Sequence, residues 1–526
     1  MARKLLVWAE ECCLPALTPD AARVGGRWLA CRRAAGIAGH RSAIHGDLGC
    51  RLLAAWGKPI VIRFFRHYIS LAIVLLVSVD ALLFMLSIYA GTSARFMDAG
   101  QHIPTSVGPL LPKALVFAGV MVSIMTMFGL YQYSEWRGGV GPVILRLGAG
   151  FMVGFVAMSL IFYLFPGFFL GRGVFAMSFI AAMSGVTLSR LLIFRWSDLK
   201  VLKRRILVLG TGSRAARIET LLRNGSPAHR LQIVGYLPAK GTHHYVDHAE
   251  VLPDTAPLRA IVEKYRVEEI VIAVRNRREG GLPVDELLEC KLMGIKIVEL
   301  STLFERETGQ LQLESLNASW IILSEGFQNG LARDLIKRAF DLCASGGLLL
   351  LALPVMVLTS LLILLETGFP ILYRQERVGQ DGRRFTVLKF RSMRADAEKD
   401  GKPKWAQKND DRTTRVGRII RKIRVDELPQ VFNVLKGEMS FVGPRPERPY
   451  FVDRLVKESP YYACRHSVKP GITGWAQVSC SYGASVGESL EKLQYDLYYV
   501  KNHSLFLDLM ILFQTAQVVL WGKGAR

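Results

Sequence analysis

Negative charge is scarce in this chain of 526 residues. The sequence carries 67 lysine and arginine residues against 44 aspartate and glutamate residues, which gives a formal net charge of +23. An excess of this size indicates an anionic partner, such as nucleic acid, acidic lipid or a phosphate-bearing substrate. Charged residues make up 21% of the chain and apolar residues 51%, a composition that excludes a disordered or collagen-like protein.

Cysteine pairs with metal-ligand spacing are also missing. The eight cysteines include no Cys-x-x-Cys pair, and half of them lie within the first fifty residues. This pattern provides neither a zinc site nor a disulfide framework, and it is typical of reduced thiols in a protein that faces the cytosol. We expect no secretory signal in residues 1–60, because no apolar core follows their basic start. Two interpretations of this segment stay open: disorder, or an over-extended start upstream of a natural beginning near Val61.

Long uncharged runs account for the excess of apolar residues. Four of them are long enough for helices that cross the ~30 Å apolar layer of a bilayer, namely 68–91, 113–133, 143–165 and 173–194. Lysine and arginine are concentrated before the first run and after the fourth. This predicts a four-helix transmembrane bundle over 61–200 with both ends in the cytoplasm. Asp80 lies inside the first run, where we expect an ion pair with Arg190; a transport role is the alternative, although no relay of further intramembrane acids accompanies it.

A strand, a glycine turn and a helix follow the basic linker. Arg205-Ile-Leu-Val-Leu precedes Gly210-Thr-Gly212, as in the first crossover of a Rossmann fold. No acid follows the second strand to hold a ribose hydroxyl. Two interpretations therefore stay open, a structural or regulatory domain, or a nucleotide bound at Gly210 and Gly212. Further strands are predicted at 231–237, 269–274 and 295–299, so that residues 201–325 form a Rossmann-like α/β domain with a parallel sheet.

A fifth apolar run, residues 342–365, contains Pro354 in its middle. Proline removes a backbone donor and clashes with the preceding turn, and basic residues flank both ends of the run. We expect a re-entrant membrane helix over 335–366, broken at Pro354, that enters one leaflet and returns. This arrangement keeps the domains on either side of it in the cytosol; a full span is the alternative.

The segment 371–430 carries 17 basic and nine acidic residues, with aromatic and apolar residues between them. We expect no nucleic acid as partner because no nucleic-acid-binding motif is evident, and a phosphate-bearing small substrate beside anionic lipid fits better. Within the segment, Asp426 and Glu427 stand among arginines. Such a carboxylate acts as a nucleophile, with its pKa kept low by the cations, or the pair holds Mg²⁺. An acidic pair at an ordinary helix start is the alternative.

The residues that follow decide between these alternatives. Gly443-Pro444-Arg445-Pro446 and Lys469-Pro470-Gly471-Ile472-Thr473-Gly474-Trp475, together with Asp426-Glu427, resemble the bacterial sugar transferase family, the monotopic phosphoglycosyl transferases. The resemblance runs from about Lys337 to Val519 and implies a mixed α/β catalytic domain over 326–526. The upstream organisation is similar to the large form of the family, the undecaprenyl-phosphate sugar phosphotransferases that begin exopolysaccharide synthesis.

The resemblance implies a two-step exchange. Asp426 attacks the β-phosphate of a UDP-sugar and releases UMP, and polyprenyl phosphate then takes the sugar phosphate from the carboxylate. Glu427 assists proton transfer or positions Mg²⁺, the expected cofactor, together with Asp426. The resemblance also assigns phosphate contacts to Arg421 and Arg445 and, with weaker support, to Lys389 and Arg391; Gly471, Thr473 and Trp475 shape the nucleotide end or form a structural turn.

The resemblance further implies a place and partners. We expect the protein in the bacterial inner membrane with its soluble domains in the cytoplasm, in contact with membrane lipid, in a homo-oligomer and with other polysaccharide-assembly proteins. A scaffold or regulator with a nucleotide-sensing Rossmann domain and an inert transferase domain is the alternative, which the intact Asp426-Glu427 pair argues against. Two positions depart from the family: Leu353 replaces a serine before the proline, and Ser479-Cys480-Ser481 replaces Asn-Gly-Arg. A helix over Leu505–Trp521 is expected at the membrane surface or buried in the domain.

Overall fold

Four long apolar helices follow a short antiparallel hairpin at the start of the part that the computed structural model describes. The described residues are 61–64, 67–97, 108–131, 140–196, 204–223, 231–238, 245–246, 251–253, 256–274, 282–313, 326–327, 330–394, 412–480 and 485–521. All of them belong to one unit of the chain, Lys58–Arg526. The two interpretations of residues 1–60 concern a segment outside the described residues.

The hairpin consists of β1 (Val61–Phe64) and β2 (His67–Ser70), and the helices are α1 (Leu71–Met97), α2 (Leu110–Met127), α3 (Val140–Leu164) and α4 (Arg172–Trp196). Each helix is long and apolar enough to cross a membrane. The four pack around shared aromatic rings, among them Phe84, Phe117, Phe151 and Phe175. Their outward faces expose large apolar side chains such as Leu145, Met152 and Val156, as expected for helices that contact lipid.

An ion pair lies inside this group of helices. Asp80 of α1 is fully buried and accepts hydrogen bonds from both terminal guanidinium nitrogens of Arg190 on α4. The hydroxyl of Tyr131 donates to the same carboxylate at 2.9 Å. The predicted pair is therefore confirmed, and it fits a structural role because both carboxylate oxygens of Asp80 are bound inside the protein.

A four-stranded parallel sheet follows. Its strands are β3 (Arg204–Leu209), β4 (Leu231–Leu237), β5 (Glu269–Ile272) and β6 (Lys296–Glu299), and their order in the sheet is β4-β3-β5-β6. Alternate residues of β3 pack on opposite faces, Ile206 and Val208 on one side and Leu207 and Leu209 on the other, because successive side chains of a strand point to opposite faces. The predicted alternation of strands and helices is confirmed. The helices of this domain are α5 (Ser213–Arg223), α6 (Leu258–Tyr265), α7 (Val284–Leu292) and α8 (Leu300–Thr308).

Helix α9 (Leu331–Thr367) has 37 residues and continues through Pro354. The predicted interruption of the helix at this proline is therefore wrong, whereas the predicted bend of a re-entrant helix at Pro354 stays a prediction. Proline removes one backbone donor, but Ala352 and Met356 on either side of it are buried in one apolar cluster with Phe390 and Ile420. This packing outweighs the local preference for a break. The return of the chain to the same face of the membrane stays a prediction.

The last part of the chain packs strands and helices against α9. The hairpin β7 (Leu372–Val378) and β8 (Arg384–Phe390) is antiparallel, whereas β9 (Ser440–Val442) and β10 (Gly471–Thr473) pair in parallel. Three 3₁₀ segments lie between the regular elements of this described part, namely Gln380–Gly382, Val425–Gln430 and Pro460–Ser467. The helices are α10 (Arg415–Lys422), α11 (Val431–Lys436), α12 (Pro449–Glu458), α13 (Trp475–Ser479), α14 (Val486–Asn502) and α15 (Leu505–Trp521).

Helix α15 packs one face on this domain, as the second of the two expectations has it, while a position at the membrane surface stays a prediction. Leu507 and Ile511 are fully buried in the same core as α14. Farther along, Gln517 donates its side-chain N–H to the carbonyl of Thr126 at 2.7 Å. This contact joins the last helix of the domain to α2.

The Rossmann-like domain docks on α13 and α14 through buried polar contacts. Lys501 Nζ lies 2.8 Å from Glu305 Oε2, and the indole nitrogen of Trp475 donates to the carbonyl of Gly309 at 2.8 Å. Gly309 ends α8 in the left-handed region with φ of 64°, and a Cβ added there would lie 2.8 Å from the Trp475 ring. Only glycine therefore fits at this contact.

Candidate active site

The Asp426-Glu427 pair lies in the first turn of the 3₁₀ segment Val425–Gln430. Helix α10 ends at Lys422, and Arg424 then takes a left-handed conformation with φ of 60° and ψ of 17°. This conformation is uncommon for a residue with a side chain. It reverses the chain so that two adjacent acidic residues follow directly after a basic helix.

Glu427 is buried among three cations. Its Oε1 accepts hydrogen bonds from Arg445 Nη2 at 2.8 Å and Lys389 Nζ at 3.0 Å, and Arg424 Nη1 lies 3.6 Å from Oε2. Burial by itself raises the pKa of this carboxyl, but Arg445, Lys389 and Arg424 together hold its pKa well below the ordinary value. Glu427 is therefore ionised, and its charge holds two of the predicted phosphate-binding cations, Lys389 and Arg445, in place.

Asp426 differs from its neighbour. Its Oδ1 is buried and has no hydrogen-bond partner within the described part of the chain. Burial, and next the negative charge of Glu427, raise the pKa of Asp426 above the ordinary value, although Lys389, Arg424 and Arg421 oppose the change. The expectation that nearby cations keep the pKa of Asp426 low is therefore wrong, because burial and the charge of Glu427 outweigh the effect of those cations.

Arg421 and Arg445 are held in different ways beside this pair. The Nη1 atom of Arg421 is buried without a hydrogen-bond partner among the described residues, and the charge of this guanidinium favours the Asp426 anion. The carbonyl of Arg445 accepts a hydrogen bond from Arg465 at 2.9 Å. Arg465 in turn pairs with the buried Asp496 at 2.7 Å. The donor Nη1 of Arg421 and the acceptor Oδ1 of Asp426 are thus both buried without partners among the described residues. Such atoms indicate a binding site for a polar ligand.

Several predicted contact residues have structural partners instead. The guanidinium of Arg391 donates to the carbonyls of Thr367, Gly368 and Phe369, where it neutralises the C-terminal end of α9. The hydroxyl of Thr473 bonds that of Thr515 at 2.6 Å. Gly471 begins β10, which pairs with β9, and Trp475 binds the Rossmann-like domain as described above. These contacts favour the structural alternative for Gly471, Thr473 and Trp475.

The glycine turn of the Rossmann-like domain has the expected form. Gly210 has φ of 112°, and a Cβ added there would lie 3.3 Å from the backbone of Ala273. A Cβ added at Gly212 would meet open space. The tight turn therefore requires glycine at the first position, while the nucleotide site at this turn stays a prediction.

The carboxylates offer a limited set of ligands for Mg²⁺. Among the described residues, no group of three or more histidine, cysteine, aspartate or glutamate side chains is placed to hold a metal ion. Mg²⁺ commonly takes one or two carboxylates and completes its shell with phosphates and water. The unpartnered Oδ1 of Asp426 fits such a role, whereas Oε1 of Glu427 is already engaged by two cations. The fit therefore favours Asp426 over Glu427 as a ligand.

Three residues of the site were not assigned a role from the sequence. Arg424 pairs with Glu427. Arg465 donates a hydrogen bond to the carbonyl of Arg445 and is itself paired with Asp496. The only local signal was a charged residue within a largely apolar stretch, Asp496 in Leu493-Gln-Tyr-Asp-Leu-Tyr-Tyr. Its partner lies 31 positions earlier in the chain, so no local pattern predicts the pair.

Two regions of the chain match known protein families. Residues 332–522 match the family described as bacterial sugar transferase, and residues 126–282 match a CoA-binding domain. The UDP-glucose:undecaprenyl-phosphate glucose-1-phosphate transferase of Xanthomonas campestris pv. campestris is 30% identical over 438 residues, which cover 79% of this chain and 89% of that protein. The chain belongs to the bacterial sugar transferase family. It is a large member, with apolar helices and an α/β domain before the family region.

Other relatives of this sugar transferase share a smaller region. The UDP-N-acetylgalactosamine-undecaprenyl-phosphate N-acetylgalactosaminephosphotransferase of Aeromonas hydrophila is 41% identical over half of this chain and 61% of its own length. The undecaprenyl-phosphate glucose phosphotransferase of Komagataeibacter xylinus is 43% identical over 36% of each chain. The matches thus span less than two thirds of these two relatives. Of the three relatives, two are named for glucose and one for N-acetylgalactosamine.

Proposed function

We propose that this chain transfers a sugar 1-phosphate from a UDP-sugar to undecaprenyl or another polyprenyl phosphate, with release of UMP. The observation that carries the proposal is the contrast between two adjacent carboxylates. Glu427 is bound by Arg445 and Lys389, whereas Oδ1 of Asp426 has no partner among the described residues. One acid holds the cations, and the other is available for the substrate.

In the proposed first step, the carboxylate of Asp426 attacks the β-phosphorus of the donor. The bond from this phosphorus to the bridging oxygen breaks, and UMP leaves with that oxygen. In the second step, a phosphate oxygen of the polyprenyl phosphate attacks the same phosphorus and the Asp426 carboxylate leaves. The raised pKa of Asp426 supports this role, because a more basic carboxylate is a stronger nucleophile.

Cations next to the pair support phosphoryl transfer in particular. Such reactions depend on positioning and on neutralisation of charge. Arg421, with its unpartnered Nη1, and Arg445 are placed to bind the donor phosphates. Glu427 acts by holding Arg445 and Lys389, since a carboxyl whose pKa is lowered this far is a poor general acid. Mg²⁺, held by Asp426 and the donor phosphates, would supply further positive charge.

Contacts along the length of α9 support a re-entrant helix. Near its start, Arg338 donates to the carbonyl of Val434 at 2.6 Å, and near its end Glu366 accepts a hydrogen bond from the backbone N–H of Arg415 at 2.7 Å. Met356 in the middle packs on the same domain. A helix that spans the membrane puts its two ends ~30 Å apart across an apolar layer, where one domain cannot make polar contacts with both.

From these contacts we also propose where the enzyme lies relative to the membrane. The domain that carries Asp426 lies at the cytoplasmic surface of the bacterial inner membrane, where a soluble donor and a lipid acceptor meet. The outward face of α9 exposes apolar side chains to lipid, among them Leu350, Leu351, Leu358 and Leu365. The proposed reaction is the first membrane step of exopolysaccharide synthesis. The proposed partners also include further copies of this chain in a homo-oligomer and other polysaccharide-assembly proteins.

The proposal is tested with the full chain in membranes, supplied with Mg²⁺, polyprenyl phosphate and a panel of UDP-sugars. UMP release with at least one donor is expected. Asp426→Asn should abolish release, whereas Asp453→Asn, which changes an exposed aspartate of α12, should leave it unchanged. With donor alone, mass spectrometry should find the phospho-sugar on the peptide that contains Asp426.

Two outcomes would contradict this function. Substantial UMP release by Asp426→Asn, with a normal unfolding temperature, would remove Asp426 as the nucleophile. Failure of every donor with the folded wild-type protein would favour the alternative of an inert transferase domain in a scaffold or regulator.

A further inference from the structure

The stretch Pro444–Glu447 comes shortly after β9 and has no regular secondary structure, yet each of its four carbonyls accepts a hydrogen bond from another part of the chain. The backbone N–H groups of Gly471 and Val378 bind the first and the last carbonyl at 3.0 and 2.9 Å. Arg465 Nη2 binds the second at 2.9 Å, and Arg377 Nη1 binds the third at 3.0 Å. Proline restricts φ at two of the four positions. The backbone of this stretch is therefore fixed before any substrate arrives.

The donor to the second carbonyl is a buried charge. Arg465 is 5% exposed, and its Nη2 lies 2.7 Å from Oδ2 of Asp496, which is 3% exposed. The Nη1 atom donates to the hydroxyl of Tyr462 at 2.7 Å. The desolvation cost of a buried ion pair offsets much of its attraction, so the pair adds little net stability compared with apolar residues of similar size. This pair therefore requires an explanation other than stability.

The carbonyl that Arg465 binds supplies that explanation, because it belongs to Arg445. A charged donor binds an acceptor about twice as strongly as a neutral donor does. At the other end of the residue, Arg445 Nη2 lies 2.8 Å from Glu427 Oε1, and the side chain of Arg445 is still 27% exposed. Arg445 is thus held at its backbone by one ion pair and at its guanidinium by another.

A guanidinium held in this way suits the binding of a phosphate. Two parallel N–H bonds to phosphate oxygens form only when the planar group has the right position and orientation. A shift of the backbone moves the whole side chain, and a misplacement of ~1 Å is enough to cost ~100-fold in rate. The position of the Arg445 backbone is therefore as important to the reaction as its charge.

We infer that Arg465, together with Asp496, is a positioning residue for the transfer reaction. Its hydrogen bond to the carbonyl of Arg445 fixes the backbone from which the Arg445 guanidinium reaches Glu427 and the donor phosphates. Neither Arg465 nor Asp496 touches the reacting atoms. The inference rests on the proposed function for the identity of the donor.

A double-mutant cycle with the full chain in lipid nanodiscs tests this inference. The paired variant, Arg465→Met with Asp496→Asn, removes both charges together, so no buried charge loses its partner. It is made in the wild type and in Arg445→Gln, which has no guanidinium to misplace. Two quantities are measured for each protein: kcat/KM for UMP release with the best UDP-sugar, and the affinity for inorganic pyrophosphate by calorimetry.

The paired variant should lower kcat/KM about 100-fold in the wild type and by less than about threefold in Arg445→Gln. Its affinity for pyrophosphate should fall about tenfold in the first background only. Arg465→Lys retains a cation for the carbonyl and for Asp496, and it should keep kcat/KM within about tenfold of the wild type. Arg454→Met, at an exposed position of α12, is the matched control and should change neither quantity.

A purely structural role for Arg465 predicts the opposite pattern. A damaged fold lowers activity whether or not residue 445 is an arginine, so equal losses in the two backgrounds would overturn the inference. Full kcat/KM in the paired variant, with an unchanged unfolding temperature, would also overturn it. If the paired variant does not fold, Arg465→Lys is used in the same cycle, and its loss must likewise disappear in Arg445→Gln.

The two readouts separate this inference from the proposed function. If no UDP-sugar yields UMP but the pyrophosphate affinities show the expected loss in the wild-type background alone, the function fails and the positioning role stands. If the wild type releases UMP and the losses in kcat/KM multiply across the cycle, the function stands and the positioning role fails.

Discussion

Arg445 Nη2 lies 2.8 Å from Oε1 of Glu427, so the arginine after Pro444 is bound by the second acid of the pair and not by Asp426. An arginine already fixed by a protein carboxylate loses little conformational freedom when a phosphate arrives. The Oδ1 atom of the neighbouring Asp426 has no hydrogen-bond partner among the described residues, and burial and the charge of Glu427 raise the pKa of this carboxyl. The two acids therefore have separate tasks, and each task has its own measurable consequence.

The pH dependence of UMP release should respond to Glu427. The reaction requires ionised Asp426, whose pKa is raised by burial and by Glu427, so activity should be lost as the pH falls and at a higher pH than for an ordinary aspartate. Glu427→Gln removes a negative charge beside Asp426 and should move this acidic limb of kcat/KM to lower pH. The same variant should lower the maximal rate about 100-fold, because Arg445 and Lys389 lose their anchor.

Lys389→Met should shift the acidic limb of kcat/KM in the opposite direction and is the matched comparison for Glu427→Gln. Loss of this cation disfavours the Asp426 anion, so the acidic limb should move to higher pH. Limbs that move in the same direction in both variants would contradict the assignment of the limb to Asp426.

The Asp80–Arg190 pair should stabilise the helices α1 to α4 as a unit. Arg190→Met leaves the Asp80 carboxylate buried with Tyr131 alone and should cost about 3 kcal/mol. Asp80→Asn combined with Arg190→Met removes the charge and keeps an acceptor for Tyr131, so it should recover most of this loss. Thermal unfolding in detergent measures both, with Ser159→Ala at an exposed position of α3 as the control. A double variant no more stable than Arg190→Met would contradict a structural pair.

Both ends of α9 should be reached from the cytoplasm alone. Leu335 and Leu365 are 71% and 83% exposed, and cysteines placed there in a background without native cysteines should react with an impermeant maleimide only after the membrane is opened. Gly167, in the turn between α3 and α4, is the control, because the predicted orientation puts it outside. Labelling of residue 335 and residue 365 from opposite sides would establish a full span.

The contact of Gly309 with Trp475 should couple the Rossmann-like domain to the transferase domain. Gly309→Ala adds a Cβ 2.8 Å from the indole ring at a positive φ and should cost about 2 kcal/mol of unfolding free energy. The same change should cost less in Trp475→Phe, which lacks the crowded indole atoms. Denaturant unfolding of the two single variants and the double variant gives this difference, and strictly additive losses would show that the two residues do not interact.

Several elements followed from local patterns that the sequence displays directly. The four apolar runs, the order of strand, glycine turn and helix after Arg205, and the strand at 231–237 all appear in the structure at nearly the predicted bounds. Hydropathy and periodicity predict them because each depends on residues within one segment. The Asp426-Glu427 pair was found differently, because its position among arginines left an ordinary helix start open and the family resemblance of the motifs after it decided for a catalytic role.

Other features depended on residues far apart in the chain. Pro354 predicted a break, but packing of α9 on the domain that follows keeps the helix continuous. Arg391 and Trp475 resembled substrate contacts, yet one binds the end of α9 and the other binds Gly309. A side chain that is polar and close to a motif in sequence has the same local signal whether its partner is a substrate or the protein itself.

The sequence by itself determined the kind of protein: apolar helices, an α/β domain and an acidic pair within a basic family region. Only the tertiary structure decided which acid holds the cations, because Lys389 and Arg445 reach Glu427 from 38 positions before it and 18 positions after it. The pKa values of the two carboxyls then diverge, since charge and burial act through space and not along the chain.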